Sequence, residues 1–304
     1  MSVLSSIFGK LPTILMLVSP ILITATGGMI CERSGVVNIA LEGLMVFGAF
    51  AAATIHYFLE PVFGVWSIWL ALFAGSLFGL IFSYIHAFAS VSLNADQTVS
   101  GTGINLLANG VTIFLAQILF KQDRTRQFRL GMMPGPGGIY PTAYIALAVI
   151  LVAWFVLYRR KFGLRLRACG ENPQAAASVG IDVLKIRYIA VLTSGFLAGL
   201  AGGCLVLTTN TQFNSTTVNG HGFIALAVVS FGRWKPLGIT GASLLFGTAL
   251  AFSIIASDYT LLRSLPTEVF NIMPYAITLL TLVIFSGKNY APQESGKPYE
   301  KGGS

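Results

Sequence analysis

The stretch GVVNIALEG, Gly35 to Gly43, decides how this chain is read. It lies in one of the most apolar parts of the sequence, yet it carries an amide and a carboxylate, Asn38 and Glu42. Four positions apart, the two share one face if the segment is a continuous helix. The glycines at its ends also permit a broken helix or a close backbone approach. About 185 residues later GHGFIALAVVSFG, Gly220 to Gly232, repeats the pattern Gly-x-x-x-Ile-Ala-Leu.

The chain around these stretches is 55% hydrophobic and only 10% charged, against roughly 25% charged in soluble domains. Thirty charged side chains are too few to cover the surface of a soluble protein of 304 residues. The apolar residues cluster in runs long enough to cross a bilayer, which takes about 20 residues. Eight runs qualify: Leu11–Ile30, Val36–Phe58, Trp66–Val91, Val99–Phe120, Pro141–Tyr158, Tyr188–Leu207, Leu237–Ile255 and Pro266–Phe285. The fold expected is an all-α, polytopic integral membrane protein of about 8–10 transmembrane helices. The piece Phe223–Phe231 is apolar but covers only about 14 Å of a roughly 30 Å hydrocarbon core, so a short, broken helix is expected there. Leu11–Ile30 follows a single lysine and lacks a small-x-small cleavage site, so it reads as a retained helix.

The net charge of +8 is spread over loops and no basic patch is interleaved with aromatics, which argues against nucleic acid. The segment Arg159 to Arg187 holds seven Lys or Arg against Glu171 and Asp182, placing it in the cytoplasm. The loop from Lys121 to Pro141, with four basic residues, then lies outside. The first hundred residues leave the side of the N-terminus open. It depends on whether Val36–Phe58 is one helix or two pieces. The polar end, GKNYAPQESGKPYEKGGS, is rich in Gly and Pro, and disorder is expected over 289–304. The membrane domain is residues 1–288, with halves at about 11–158 and 188–286 around a cytoplasmic segment, 159–187.

Enzymatic signatures are missing. There is no G-x-x-x-x-G-K-[ST], no H-E-x-x-H and no G-x-S-x-G. Cys31, Cys169 and Cys204 are far apart and read as free thiols, and neither a metal nor a cofactor is expected. His56 and His86 read as plain hydrogen-bonding residues near helix ends. His221 adjoins the short apolar piece and has a claim on a transport path.

Polar side chains at membrane depth are costly, so they face protein or a water-filled cavity. NADQTVSGTGINLLANG, 94–110, adds Gln97, Asn105 and Asn109 on nearly one face. Taken singly, such amides serve equally as glue between helices. As a set with Asn38, Glu42, His221 and Phe223 they suggest a polar-lined path. Amides offer donors and acceptors, and Glu42 is nearly the only carboxylate at this depth. That suits a neutral, hydrogen-bonding solute better than an ion. Phe47, Phe50 and Phe114 are candidates to stack on a base, although aromatics that pack helices are commoner.

In the cytoplasmic segment, Asn172-Pro173 announces a helix start, with Asn172 as cap and Pro173 in the first turn. QAAASVG then gives a short helix of small residues closed by Gly180. Flanked by basic residues, it is a shape that a groove on another protein would accept.

At this point four blocks in order carry a resemblance. ERSGVVNIALEGLMVFGAF (32–50), GLRLRACGENPQAAASVGID (163–182), LTSGFLAGLAGG (192–203) and GHGFIALAVVSFGRWKPLGITGASLLFG (220–247) look like the signature blocks of inner-membrane permease subunits of ABC importers, in the branch for simple sugars and nucleosides. The resemblance covers roughly residues 11 to 286. It is nearest to the second permease of nucleoside importers fed by a basic-membrane-protein-type lipoprotein. It implies a multi-pass protein of the bacterial inner membrane, and the basic residues Lys288, Lys297 and Lys301 lead us to expect a cytoplasmic C-terminus. Two permeases, often paralogues, would form the pathway. Two ATPase subunits would drive it, and an extracytoplasmic binding lipoprotein would deliver the solute. The coupling contact to an ATPase would involve Gly170, Glu171, Asn172, Pro173, Ala175, Ala176 and Gly180. The paired Gly-x-x-x-Ile-Ala-Leu blocks would mark two pseudo-symmetric halves. Riboflavin and simple sugars remain alternatives for the solute. An ion-coupled secondary transporter and an intramembrane enzyme remain alternatives for the mechanism.

Overall fold

The structure, a computed structural model, describes residues 10–255, 272, 276 and 290–299. Among the described residues there are ten α-helices and no strand. In chain order they are α1 (Leu11–Glu32), α2 (Leu41–Phe63), α3 (Trp66–Ala87), α4 (Gln97–Phe120), α5 (Pro141–Arg159), α6 (Lys161–Glu171), α7 (Pro173–Ser178), α8 (Val183–Thr209), α9 (His221–Phe231) and α10 (Pro236–Ile255). A π-helical turn, Phe88–Ser92, extends α3. Seven of the helices are long and apolar enough to cross a membrane, and the 11-residue α9 is not. These seven answer to seven of the eight runs read from the sequence. The eighth, Pro266–Phe285, lies outside the described residues.

Helix starts follow local chemistry. Pro12, Pro141, Pro173 and Pro236 occupy first turns, where a missing N–H costs nothing. Asp96 and Asp182 cap α4 and α8 by accepting from the N–H groups of Val99 and Lys185. The sequence reading had not assigned either cap.

The long helix α8 is the hub, packing against α1, α2 and α3. Its sequence SGFLAGLAGG explains why. In a membrane there is no hydrophobic drive to join helices, so association relies on close packing of small residues. A Cβ built on Gly199 would sit 2.3 Å from the Gly75 carbonyl oxygen, and one on Gly48 would sit 2.3 Å from that of Gly199. Gly199→Ala is therefore expected to destabilise the protein by about 2 kcal/mol, because backbone atoms cannot yield as a flexible side chain can. Thermal unfolding in detergent should fall by roughly 5 °C. An unchanged melting temperature would mean that the three helices do not meet this closely.

The molecule has two ends. At one, which we call the far end, Gly138 of the 121–140 loop lies against Pro12 at the start of α1, and the carboxylate of Glu60 near the end of α2 accepts from the N–H groups of Arg129 and Leu130. At the near end, Gly170 of α6 packs on the Arg33 carbonyl. The N-terminal start of α1 is thus at the opposite end from α6 and α7.

Two of the connections do not stay at the ends. From Arg33 the chain runs inward as non-helical backbone to Ala40 before α2 begins. Asn38 meets Ser194, eleven residues into α8, or about 16 Å along it. That is about half the thickness of a hydrocarbon core. Residues 210–220 enter from the far end, where Thr211 and Phe213 bond to Phe128 and Thr125, and α9 begins at their inner limit. The α9 helix then returns to the near end beside α1, where Arg33 donates twice to the Trp234 carbonyl and the Trp234 indole donates to Glu32. The run read as Val36–Phe58 is therefore corrected to an extended entry followed by a helix five residues further on. Two half-crossings of opposite direction meet at mid-depth.

The tail corrects a second expectation. Disorder was expected over 289–304, but residues 290–299 lie on the near end. The N–H groups of Glu294 and Gly296 donate to Gly170 and Gly35, and Pro292 and Tyr299 are buried. Composition alone misses this because the tail is held largely by backbone bonds to glycine carbonyls, which leave no pattern of apolar residues.

Candidate functional site

An extended strand-like segment inside a membrane domain exposes N–H and C=O groups that no helix satisfies, and each must find a partner. The polar residues singled out in the sequence supply them. Gln97 Oε1 accepts from Val37 N–H at 2.7 Å, and His86 Nε2 donates to the Val37 carbonyl at 3.1 Å. Asn105 donates to the Ile39 carbonyl at 3.0 Å and accepts from Gly43 N–H at 2.8 Å. Asn38 accepts from Ala40 N–H at 3.1 Å and donates to Ser194 at 3.0 Å. The amides of α4 thus line up along the broken segment as substitute backbone. The order Gln97, Asn105 in sequence matches Val37, Gly43 because α4 runs parallel to it.

Glu42 has a different task. It sits in the first turn of α2, and its two carboxylate oxygens accept from Gly220 N–H and Gly222 N–H, each at 2.7 Å. The Phe223 N–H also faces it. These are the orphan donors at the start of α9, and a negative charge is favoured at that end of a helix. One carboxylate therefore joins the N-termini of α2 and α9. The approach requires Gly222, where a Cβ would lie 2.5 Å from the backbone of Glu42. The two Gly-x-x-x-Ile-Ala-Leu blocks are the two sides of this junction.

The set predicted to line a path therefore divides. Asn38 and Gln97 are buried within the chain, Asn38 completely, and do not reach an open surface in this conformation. The reading of Asn38 and Glu42 on one helical face is corrected, since Asn38 precedes the helix. Glu42 and Asn105 are partly buried at the junction. Asn109 is exposed, and its amide makes no hydrogen bond among the described residues. Thr98 and Thr102 extend the same exposed edge of α4 by whole turns. Phe223 is exposed at the start of α9. His221 turns Nδ1 to the Val218 carbonyl, and its buried Nε2 has no partner. Of the aromatics, Phe47 is stacked on Phe82 and Phe50 packs edge-on to Phe213 inside the core, while Phe114 is exposed on α4. His56, bonded to Ser67 and the Leu130 carbonyl, and His86, bonded to Ser100, hold structure as expected.

At the near end, Asn172 Oδ1 accepts from Ala175 N–H at 2.9 Å and caps α7 as the sequence announced. Within this segment the residues also separate. Gly170, Pro173 and Ala176 are buried against the chain, and a Cβ on Gly170 would come within 2.3 Å of the Arg33 carbonyl. Glu171, Asn172, Ala175 and Gly180 face outward. Val179 is 75% exposed beside Ala175, an apolar contact point that its neighbours in sequence gave no reason to select. Burial pushes the Cys169 thiol up to about 11, so it is protonated and unreactive at neutral pH.

The chain was compared with known proteins. Residues 11–282 match the family model described as branched-chain amino acid transport system / permease component. The guanosine ABC transporter permease protein NupQ of Bacillus subtilis is 42% identical, over 96% of each chain. The nucleoside ABC transporter permease protein NupC of Lactococcus lactis is 37% identical, over 93% of this chain and 94% of that one. A more distant relative, the guanosine ABC transporter permease protein NupP of Bacillus subtilis, is 23% identical over 90% of this chain and 80% of that one.

Proposed function

The chain belongs to the family of branched-chain amino acid transport system permease components, and from that premise we propose that it is the permease subunit of an ABC importer for nucleosides. The observation that carries the solute class is the pair of relatives named for guanosine and nucleoside transport, at 42% and 37% identity over nearly their full lengths. The site agrees with it: an exposed amide, exposed hydroxyls and exposed aromatics beside a mid-depth junction suit a neutral solute with a flat base.

In this reading the exposed edge of α4 with Asn109, together with Phe223 and the junction at Glu42 and His221, borders the path. A second, homologous permease closes it from the other side. Bacillus subtilis holds both NupQ and NupP among this chain's relatives, which favours two different permeases over two copies. Two ATPase subunits grip the near end at Ala175 and Val179 and hydrolyse the ATP. An extracytoplasmic binding lipoprotein delivers the solute at the far end. The near end, with α6, α7 and the tail, is cytoplasmic, and the membrane is the bacterial inner membrane.

The test is reconstitution of the two permeases with their ATPases and binding protein in liposomes. Guanosine should accumulate only with ATP inside the motor compartment. Accumulation by this chain alone, without nucleotide, would end the proposal. Uptake of riboflavin or a sugar in place of nucleosides would move the solute and leave the mechanism. In the same assay Asn109→Ala is expected to raise KM about fivefold, the worth of one neutral hydrogen bond, with an unchanged melting temperature. An unchanged KM would take Asn109 out of the path.

A further inference from the structure

The tail lies on three parts of the near end that the transport reading makes separate moving parts. Glu294 N–H donates to the Gly170 carbonyl at 3.0 Å, at the end of α6. Gly296 N–H donates to the Gly35 carbonyl at 3.1 Å, at the mouth of the extended segment. Arg187 of α8 donates to the Lys297 carbonyl at 3.0 Å and lies under the Tyr299 ring. Beyond these, the Tyr290 ring covers Arg233 in the turn after α9. One short strap thus spans the near-end limits of both half-crossings and the base of the segment that carries α7.

The strap is not firmly seated. Arg187 is 1% exposed, yet its Nε and Nη2 have no hydrogen-bond partner among the described residues. A guanidinium has five donors, and burying them unpaired is costly. Among the described residues, the tail supplies the one hydrogen bond that this side chain makes, and it also helps to shut out the water that would satisfy the rest. Lifting the tail would hydrate Arg187 and so recover part of what is lost when the backbone bonds break. Glu294, a carboxylate of the strap, is engaged by Lys297 of the tail itself at 3.0 Å.

We propose that residues 290–299 are a latch that closes the near-end mouth of the broken segment at rest and lifts during each transport cycle. The Gly170 contact makes the latch sensitive to movement of α6, and the Gly35 contact lets it hold the extended segment in place. The proposal rests on the reading that α7 receives the motor.

A cysteine pair tests it. A Cβ on Gly296 would lie 3.6 Å from a Val37 methyl, so Val37→Cys with Gly296→Cys brings two sulfurs within reach across latch and mouth, at the cost of strain from a side chain at the left-handed φ of Gly296, +82°. The background carries Cys31→Ala, Cys169→Ala and Cys204→Ala, and the assay is uptake by the full reconstituted complex. Oxidation should lower uptake at least tenfold, and reductant should restore it. A chain ended after residue 289 should instead raise ATP hydrolysis several-fold in the absence of solute. Wild-type uptake by the oxidised pair overturns the latch. If the pair does not oxidise, or is already inactive when reduced, idle hydrolysis by the shortened chain decides, and a wild-type rate there overturns it. Ala175→Trp is run beside these. Normal coupling in that variant defeats the motor reading itself, whereas uncoupling there with free transport in the oxidised pair defeats the latch alone.

Discussion

Glu42→Ala is expected to abolish transport because the junction itself comes apart. The carboxylate holds Gly220 N–H and Gly222 N–H at mid-depth. Removing it strands two part-buried donors, at about 1–3 kcal/mol each, and leaves the positive ends of α2 and α9 facing one another. The loss is about 2–6 kcal/mol, comparable with breaking a buried ion pair from one side. Thermal unfolding in detergent should drop sharply, or the protein should fail to accumulate in the membrane. Glu42→Gln keeps one acceptor oxygen but turns an NH2 group toward donors, so an intermediate loss is expected. Its residual ATP-driven uptake should be insensitive to a protonophore, because Glu42 acts as a cap and not as a proton carrier. A Glu42→Ala protein as stable as the wild type would show that α9 finds its N-terminal partners elsewhere. Uptake that collapses on adding protonophore, in wild type but not in Glu42→Gln, would favour an ion-coupled mechanism.

The same residue shows what could be read from the sequence and what could not. Composition and run length pointed to the membrane class and to eight runs, seven of which answer to helices among the described residues, because the cost of burying charge in hydrocarbon leaves a strong trace in a single sequence. The shortness of α9 was equally plain from its length. The partner of Glu42 was not. It lies 178 and 180 positions away, and its donors are backbone groups, which every residue but proline possesses. The repeated Gly-x-x-x-Ile-Ala-Leu pattern was the one trace of that pairing, since both sides need small residues where they touch. The amides stand out in sequence, but which groups they serve does not. Gln97 and Asn38 looked like a lining because a polar side chain at depth signals a need, without saying whether a solute or a stranded backbone creates it. Asn109, at the same kind of spacing, is the one that reaches an open surface. In the coupling segment Ala175 and Ala176 are alike in sequence, and only packing makes one exposed and the other part of the core.

That difference fixes the second large effect. Ala175→Trp should uncouple the importer while leaving the subunit folded. Ala175 is exposed and Val179 beside it is 75% exposed, so the added indole points away from the chain. Nothing in this subunit opposes it, and a change in melting temperature of no more than about 1 °C is expected, as for other surface positions. A groove shaped for a small-residue helix does not admit an indole, because overfilling a packed contact costs about 1–3 kcal/mol even where neighbours can shift. Across two motor contacts that is enough to weaken assembly or to leave hydrolysis running without transport, with uptake per ATP reduced at least tenfold. Ala176→Trp is the contrasting case. Its side chain is 3% exposed within the chain, so loss of the fold is expected and loss of transport would carry no information about the motor. The informative comparison is uptake and ATP hydrolysis measured on the same proteoliposomes for wild type and Ala175→Trp. A wild-type ratio of uptake to hydrolysis would mean that the motor grips this subunit somewhere other than α7.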